Sequence, residues 1–210
     1  MNYLGHAAVA TWRGAEGAFV LGAMLPDFAS MLGARPPATH HTDVEAGMRF
    51  HYRTDEVFHR SAVFVELTRS AFAWLLERDV ERGRARAVAH VGVELLLDAE
   101  LSRDEPVRRA YLGALRRGAP RDLGGSLVWE SSDGHLDFED LRARLLVRGV
   151  SGDEPNAETT ALRLRRALAT RPRLVLDDAT EKAARDWVIA ARAVVAARAG
   201  ELIRELAPLV

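Results

Sequence analysis

At 210 residues, with 48% hydrophobic and 28% charged residues, the chain has the balance of a soluble globular protein and enough length for a sizeable core. Its 29 Lys and Arg against 30 Asp and Glu leave a net charge of -1, which removes the global basic field that nucleic-acid binding calls for. With no cysteine, the chain has no disulfides, thiolate nucleophiles or Cys-type zinc or iron–sulfur sites, leaving histidine and carboxylate as metal ligands.

Taken in chain order, Met1-Asn2-Tyr3-Leu4-Gly5-His6 has no basic region followed by a long apolar run, so no signal peptide is expected. The apolar stretch 17–25 is far shorter than the roughly 20 residues that cross a bilayer. A cytoplasmic protein without membrane contact is the expectation. A short helix or turn comes first, then a helix over 17–24 that stops at Pro26 or soon after. Residues 33–41 read as a loop, because Pro36-Pro37 cannot continue a helix. Helix returns from about Asp43. An amphipathic segment over 57–79 carries Phe58, Ala62, Phe64, Val65, Leu67, Phe72, Leu75 and Leu76 as its core face.

Gly83 allows a turn before a helix that ends near Leu101. Asp104-Glu105-Pro106 starts the next, with acidic residues at the positive end of the dipole and proline in the first turn. The glycine-rich stretch 118–134 reads as a loop, lid or surface excursion. Stretches 138–147, 157–169 and 177–207 read as further helices. No repeat or low-complexity linker interrupts the chain. The expectation is an all-α fold, one helical bundle over 1–210.

Two stretches place metal-competent side chains at every fourth residue: His51, Asp55 and His59, then His90, Glu94 and Asp98. At 3.6 residues per turn each set forms a stripe along one helix face. The second lies among Val91, Val93, Leu95, Leu96 and Leu97, where carboxylates and imidazoles are costly unless paired. Four residues span about 6 Å of helix axis, so such a pair can grip one ion; eight span about 12 Å and cannot. Either His51/Asp55 or Asp55/His59 is then the pair, and His90/Glu94 separates from Asp98. Asp98 is set aside, since Arg103 and Asp104 suggest that the helix is leaving the core there. Outside the stripes, His6 lies between the small residues Gly5 and Ala7. Asp27 follows the apolar run Leu25-Pro26, where a helix cap is the plain reading. His40, His41 and His135 read as solvated.

Three blocks, Met1-Asn2-Tyr3-Leu4-Gly5-His6, Gly22-Ala23-Met24-Leu25-Pro26-Asp27-Phe28, and Ala46-Gly47 leading into His51-Tyr52-Arg53-Thr54-Asp55, resemble signature blocks of the acyl carrier protein phosphodiesterases. Leu168-Ala169-Thr170-Arg171-Pro172-Arg173-Leu174 resembles a later Arg-Pro-x-Leu block of that family. The resemblance implies an HD-domain-like helical fold distantly related to the metal-dependent phosphohydrolases. It also implies a divalent metal, manganese first, with iron, magnesium or zinc as alternatives. The activity it implies is hydrolysis of the diester linking 4′-phosphopantetheine to holo-acyl carrier protein.

It casts Asp27, His51, Asp55, His90 and Glu94 as ligands, with His6 near the metal or the leaving group. Asp55 or His59 would handle the attacking water, and Arg53 or Arg171 would hold a phosphate oxygen. The family usually has Asp where Glu94 stands, and Asp where His59 stands. Two other functions remain open: a phosphohydrolase acting on a nucleotide or other small phosphoester, and a helical binding protein without turnover. Because the carrier protein is acidic, its hydrolase should present a basic patch. The arginines at 82, 84 and 86, at 108 and 109, at 116 and 117, and at 163, 165 and 166 are the candidates.

Overall fold

The computed structural model describes residues 1–117, 123–131, 134–150, 156–169 and 171–206. Among them the chain is all-α, with nine α-helices and one two-stranded sheet. Helix α1 (Tyr3–Trp12) opens at Asn2, whose side-chain oxygen accepts the Tyr3 N–H at 3.1 Å. Helix α2 (Gly17–Met31) runs through Pro26 rather than stopping there. Proline removes one helical hydrogen bond and costs about 3 kcal/mol in an exposed helix. Here Val20, Leu21, Met24, Leu25 and Phe28 are all fully buried, and their packing offsets that cost.

Helix α3 (Thr42–Arg60) begins close to the expected point. The segment expected to be continuous over 57–79 is divided: Ser61 adopts an extended backbone, and α4 spans Ala62–Leu76. Ser61 Oγ accepts the Phe64 N–H at 3.0 Å, satisfying one of the orphan donors of the new helix. Replacing Ser61 with Ala is expected to lower unfolding free energy by about 1 kcal/mol, read as a lower urea midpoint.

Helices α5 (Arg82–Leu101), α6 (Glu105–Arg117), α7 (Gly134–Arg148), α8 (Ala157–Ala169) and α9 (Asp178–Leu206) complete the set. The expected loop over 33–41 contains strand β1 (Ala38–Thr39), paired antiparallel with β2 (Leu127–Val128), Ala38 opposite Val128. Of the loop expected over 118–134, residues 118–122 and 132–133 lie outside the described residues; the rest holds a 3-10 turn at Gly124–Ser126 and β2. No helix among the described residues is long and apolar enough to cross a membrane.

The chain divides into two compact units. The first takes Met1–Val57 and the described part of 101–152. In it α1, α2 and α6 pack on one another, and α7 packs on α6 and α2. Tyr3 bridges Phe28 and Tyr111 at ring distances of 5.5 and 5.9 Å, and its hydroxyl accepts from Arg148 at 2.7 Å. Helices α2 and α3 cross at glycines. A Cβ on Gly22 would lie 2.2 Å from the Val44 carbonyl oxygen, and one on Gly47 would lie 2.2 Å from that of Phe19. Only hydrogen fits at either position.

The second unit takes Phe58–Glu100 and the described part of 153–208. Here α4 and α8 pack along the long helix α9. Phe64, Leu67, Leu75, Leu164, Leu168, Trp187, Val188 and Leu202 form its core. Gly92 of α5 meets the Trp187 ring, where a Cβ would fall 2.3 Å from a ring carbon.

Candidate metal centres

Among the described residues, two clusters of metal-competent side chains form, one in each unit. In the first unit His6 of α1, Asp27 of α2 and His51 of α3 each bring a ligand atom within 4.8 Å of the other two. Asp27 lies inside α2, so it is no helix cap. His6 is fully buried and His51 nearly so, their rings stacked with centroids 3.8 Å apart.

The hydrogen bonds fix which nitrogen of each ring carries the proton. His51 Nδ1 lies 2.9 Å from the Ala23 carbonyl oxygen. A carbonyl only accepts, so Nδ1 carries the proton and Nε2 the lone pair. His6 Nδ1 lies 3.0 Å from Thr54 Oγ1. Thr54 has one hydroxyl proton, and the Phe50 and His51 carbonyl oxygens at 3.0 and 2.9 Å compete for it. Thr54 therefore accepts from His6, and His6 Nε2 carries the lone pair as well.

His6 Nε2 is buried without a hydrogen-bond partner among the described residues, facing Asp55 Oδ1 at 3.6 Å and Asp27 Oδ2 at 3.9 Å. A lone pair directed at carboxylate oxygens is repulsive unless a cation lies between them. Asp55 also holds the Met1 amino nitrogen, 2.6 Å from Oδ1.

Burial pushes the His6 imidazole down from 6.5 to about 3, against the opposing pull of Asp55. The neutral ring is therefore the one present in the folded protein at neutral pH. In the unfolded chain His6 protonates freely below about pH 6.5, while in the folded chain it resists until about pH 3. Stability present above the upper value is thus lost as pH falls toward the lower one. Urea unfolding across that window should show a loss on the order of a few kcal/mol from this group. The His6→Gln variant should show a flatter dependence; an unchanged slope would mean that another group is responsible.

In the second unit His59, on the last turn of α3, meets His90 and Glu94, one turn apart on α5. His59 Nε2 is 3.1 Å from Glu94 Oε1 and His90 Nε2 is 3.4 Å from the same oxygen. The two imidazoles are nearly parallel, 14° between planes and 4.9 Å between centroids. Phe64 stands edge-on to both at 5.2 Å, and Phe58 edge-on to His59 at 5.2 Å. Burial favours a neutral Glu94, but the hydrogen bonds from His59 and His90 outweigh it and hold the carboxyl well below the usual range.

The residues expected to share one centre thus fall in two groups. His6, Asp27, His51 and Asp55 gather in the first unit, and His59, His90 and Glu94 in the second. Asp98 stands apart, though not for the expected reason: it is 1% exposed, so α5 has not left the core there, and Arg163 lies 3.6 Å away. Arg53 is exposed on α3 and, two residues from both His51 and Asp55, lies on a different face. Arg171 is exposed in the second unit, before a 3-10 turn at Pro172–Leu174. His40 is exposed, as expected, while His135 is partly buried at the start of α7.

Thr54 and the Ala23 carbonyl, which orient the two first-unit histidines, were not among the expected site groups. Thr54 had a signal: it stands three residues after His51, on nearly the same helix face. The Ala23 carbonyl had none, since any residue would supply it. In comparisons with known proteins, no family model, no curated protein and no solved structure matches the chain.

Proposed function

We propose that this chain is a metal-dependent phosphoric diester hydrolase whose first-unit cluster holds the ion through His6, Asp27 and His51. The observation that carries the reading is the pair of buried, Nδ1-anchored imidazoles that bring their ligand atoms within 4.8 Å of each other and of Asp27. The resemblance of the blocks containing His6, Asp27, His51 and Asp55 to acyl carrier protein phosphodiesterases supports the same four residues. The substrate it favours is the 4′-phosphopantetheine diester of holo-acyl carrier protein.

The donor set fits the ion. Two imidazoles and one or two carboxylates make a mixed N/O site suited to manganese, iron or zinc, with manganese the first choice by resemblance. When bound, a divalent ion supplies charge to a phosphoryl oxygen and lowers the pKa of coordinated water toward neutrality. The rest is work for the chain's own groups. The Thr54 hydroxyl and Ala23 carbonyl hold the ring protons of His6 and His51 away from the ion-facing nitrogens. Asp55, the more exposed of the two carboxylates, orients the attacking water and takes its proton.

The deciding experiment incubates the protein with holo-acyl carrier protein and Mn2+ and follows the carrier by mass. Loss of the phosphopantetheine arm is the expected result. An intact carrier together with turnover of bis-p-nitrophenyl phosphate would move the reading to a small phosphoester. One observation favours that second reading. Arg84 pairs with Asp177, Arg109 with Glu105, Arg163 with Asp98 and Arg165 with Glu181, so four of the ten candidate arginines are neutralised by their own neighbours. No bound metal and no thermal stabilisation by Mn2+, Fe2+ or Zn2+ would instead point to a binding protein without turnover.

A further inference from the structure

The second-unit cluster of His59, His90 and Glu94 is not needed for that reading, and its geometry asks for an explanation of its own. We infer that these three side chains form a separate cation site in the second unit, selective for late first-row divalent ions such as Zn2+ or Co2+ over Mg2+. The first support is distance. Ligands each about 2.1 Å from one ion stand roughly 3.0 Å apart in an octahedron and 3.4 Å apart in a tetrahedron. The Nε2 atoms of His59 and His90 lie 3.1 and 3.4 Å from Glu94 Oε1. The longer of these is poor for a hydrogen bond and ordinary for two ligands of one ion.

The second support is orientation. Both rings aim the same nitrogen at the same oxygen from two different helices, and Phe64 walls both edge-on. The two rings lie nearly parallel, 4.9 Å apart, so both can present a nitrogen to one point. A ligating imidazole is neutral, so this donor set would bring one negative charge to a dication. In the ion-free form the Nε2 protons lie toward Glu94. On uptake each moves by exchange with solvent to Nδ1 of its own ring, so the ligating rings are neutral and their Nε2 lone pairs become ligands.

The third support is access and composition. Side-chain exposures of 30% for His59 and 45% for His90 leave a solvent-facing side, against 13% for Glu94. Three protein ligands with one side open match a centre that keeps a coordinated water rather than a closed structural site. Two nitrogens among three ligands disfavour Mg2+, which prefers an all-oxygen shell.

The test counts ions. The chelator-stripped protein is loaded with Zn2+, passed through gel filtration and analysed for metal and chain. Two ions per chain are expected, falling to one in Glu94→Gln and in His90→Gln. Zn2+ affinity at the lost site should drop by at least about 100-fold. Excess Mg2+ should leave the second ion in place, and Co2+ loaded there should show visible absorption that Glu94→Gln removes. His90 is partly exposed, so His90→Gln should fold as the parent does, with circular dichroism as the check. If both variants keep two ions, or if the parent holds a single ion that only His51→Gln removes, the inference is overturned while the proposed hydrolase centre stands. If Glu94→Gln and His90→Gln each lose an ion but His51→Gln does not, this site is upheld and the hydrolase reading suffers.

Discussion

Replacing Asp55 with Ala is expected to lower phosphodiester hydrolysis by about 10²–10⁴-fold, the usual worth of a positioned proton acceptor. Asp55 Oδ1 is 3.6 Å from His6 Nε2, close enough to share a water at the ion but more exposed than Asp27. The two carboxylates should therefore fail differently. Asp27→Asn, which weakens a ligand in the three-residue cluster, is expected to lose bound metal and activity together. Asp55→Asn is expected to lose kcat while retaining most of the metal. Single-turnover rates and metal content measured on the same preparations separate the two. Activity retained in Asp55→Ala would sink the assignment of the site.

Gly47→Ala is expected to be among the most damaging single-methyl additions in the first unit. The new Cβ would sit 2.2 Å from the Phe19 carbonyl oxygen and 2.8 Å from the Ala23 nitrogen, both backbone atoms that no rotamer change can move. Helix α3 must shift away from α2, at a cost of about 1–3 kcal/mol. For a chain of this size that lowers Tm by roughly 2–10 °C. The same shift carries His51, one turn further along α3, away from Ala23, whose carbonyl it holds at 2.9 Å. Metal affinity should fall with stability. Gly113→Ala is the control: a Cβ there meets nothing within 4 Å, and α6 gains a better helix former. Equal Tm values for Gly47→Ala and Gly113→Ala would mean that the helix crossing is not the tight contact described.

The sequence made the helices legible because the apolar period of 3.6 is strong in 157–169, where the observed helix has the expected limits, and because 177–207 is long and alanine-rich. It misled at two kinds of position. Pro26 reads as a stop only if local cost decides, and burial on all sides of α2 decided otherwise. Ser61 reads as part of an amphipathic run, because its capping of Phe64 depends on backbone geometry rather than on hydrophobic pattern.

The candidate centres were half legible. Helical arithmetic separated His51 from His59, and the structure places them in different clusters. It could not say which distant residues complete each set: His6 and Asp27 come from α1 and α2, and His59 finds Glu94 on α5. Nor does a stripe reveal tautomers, since Thr54 and a main-chain oxygen decide those. Asp98 shows the opposite failure, a residue set aside for a reason the buried helix refutes.

The anchoring of both first-unit histidines through Nδ1 has a kinetic consequence. The rings are held by Thr54 and by the main chain at Ala23, so the proposed metal centre would already be in shape before an ion arrived. Uptake then needs no slow rearrangement of the protein. Its rate should follow how quickly each ion sheds its own hydration water, and exchange should leave the surrounding amide protons as protected as before.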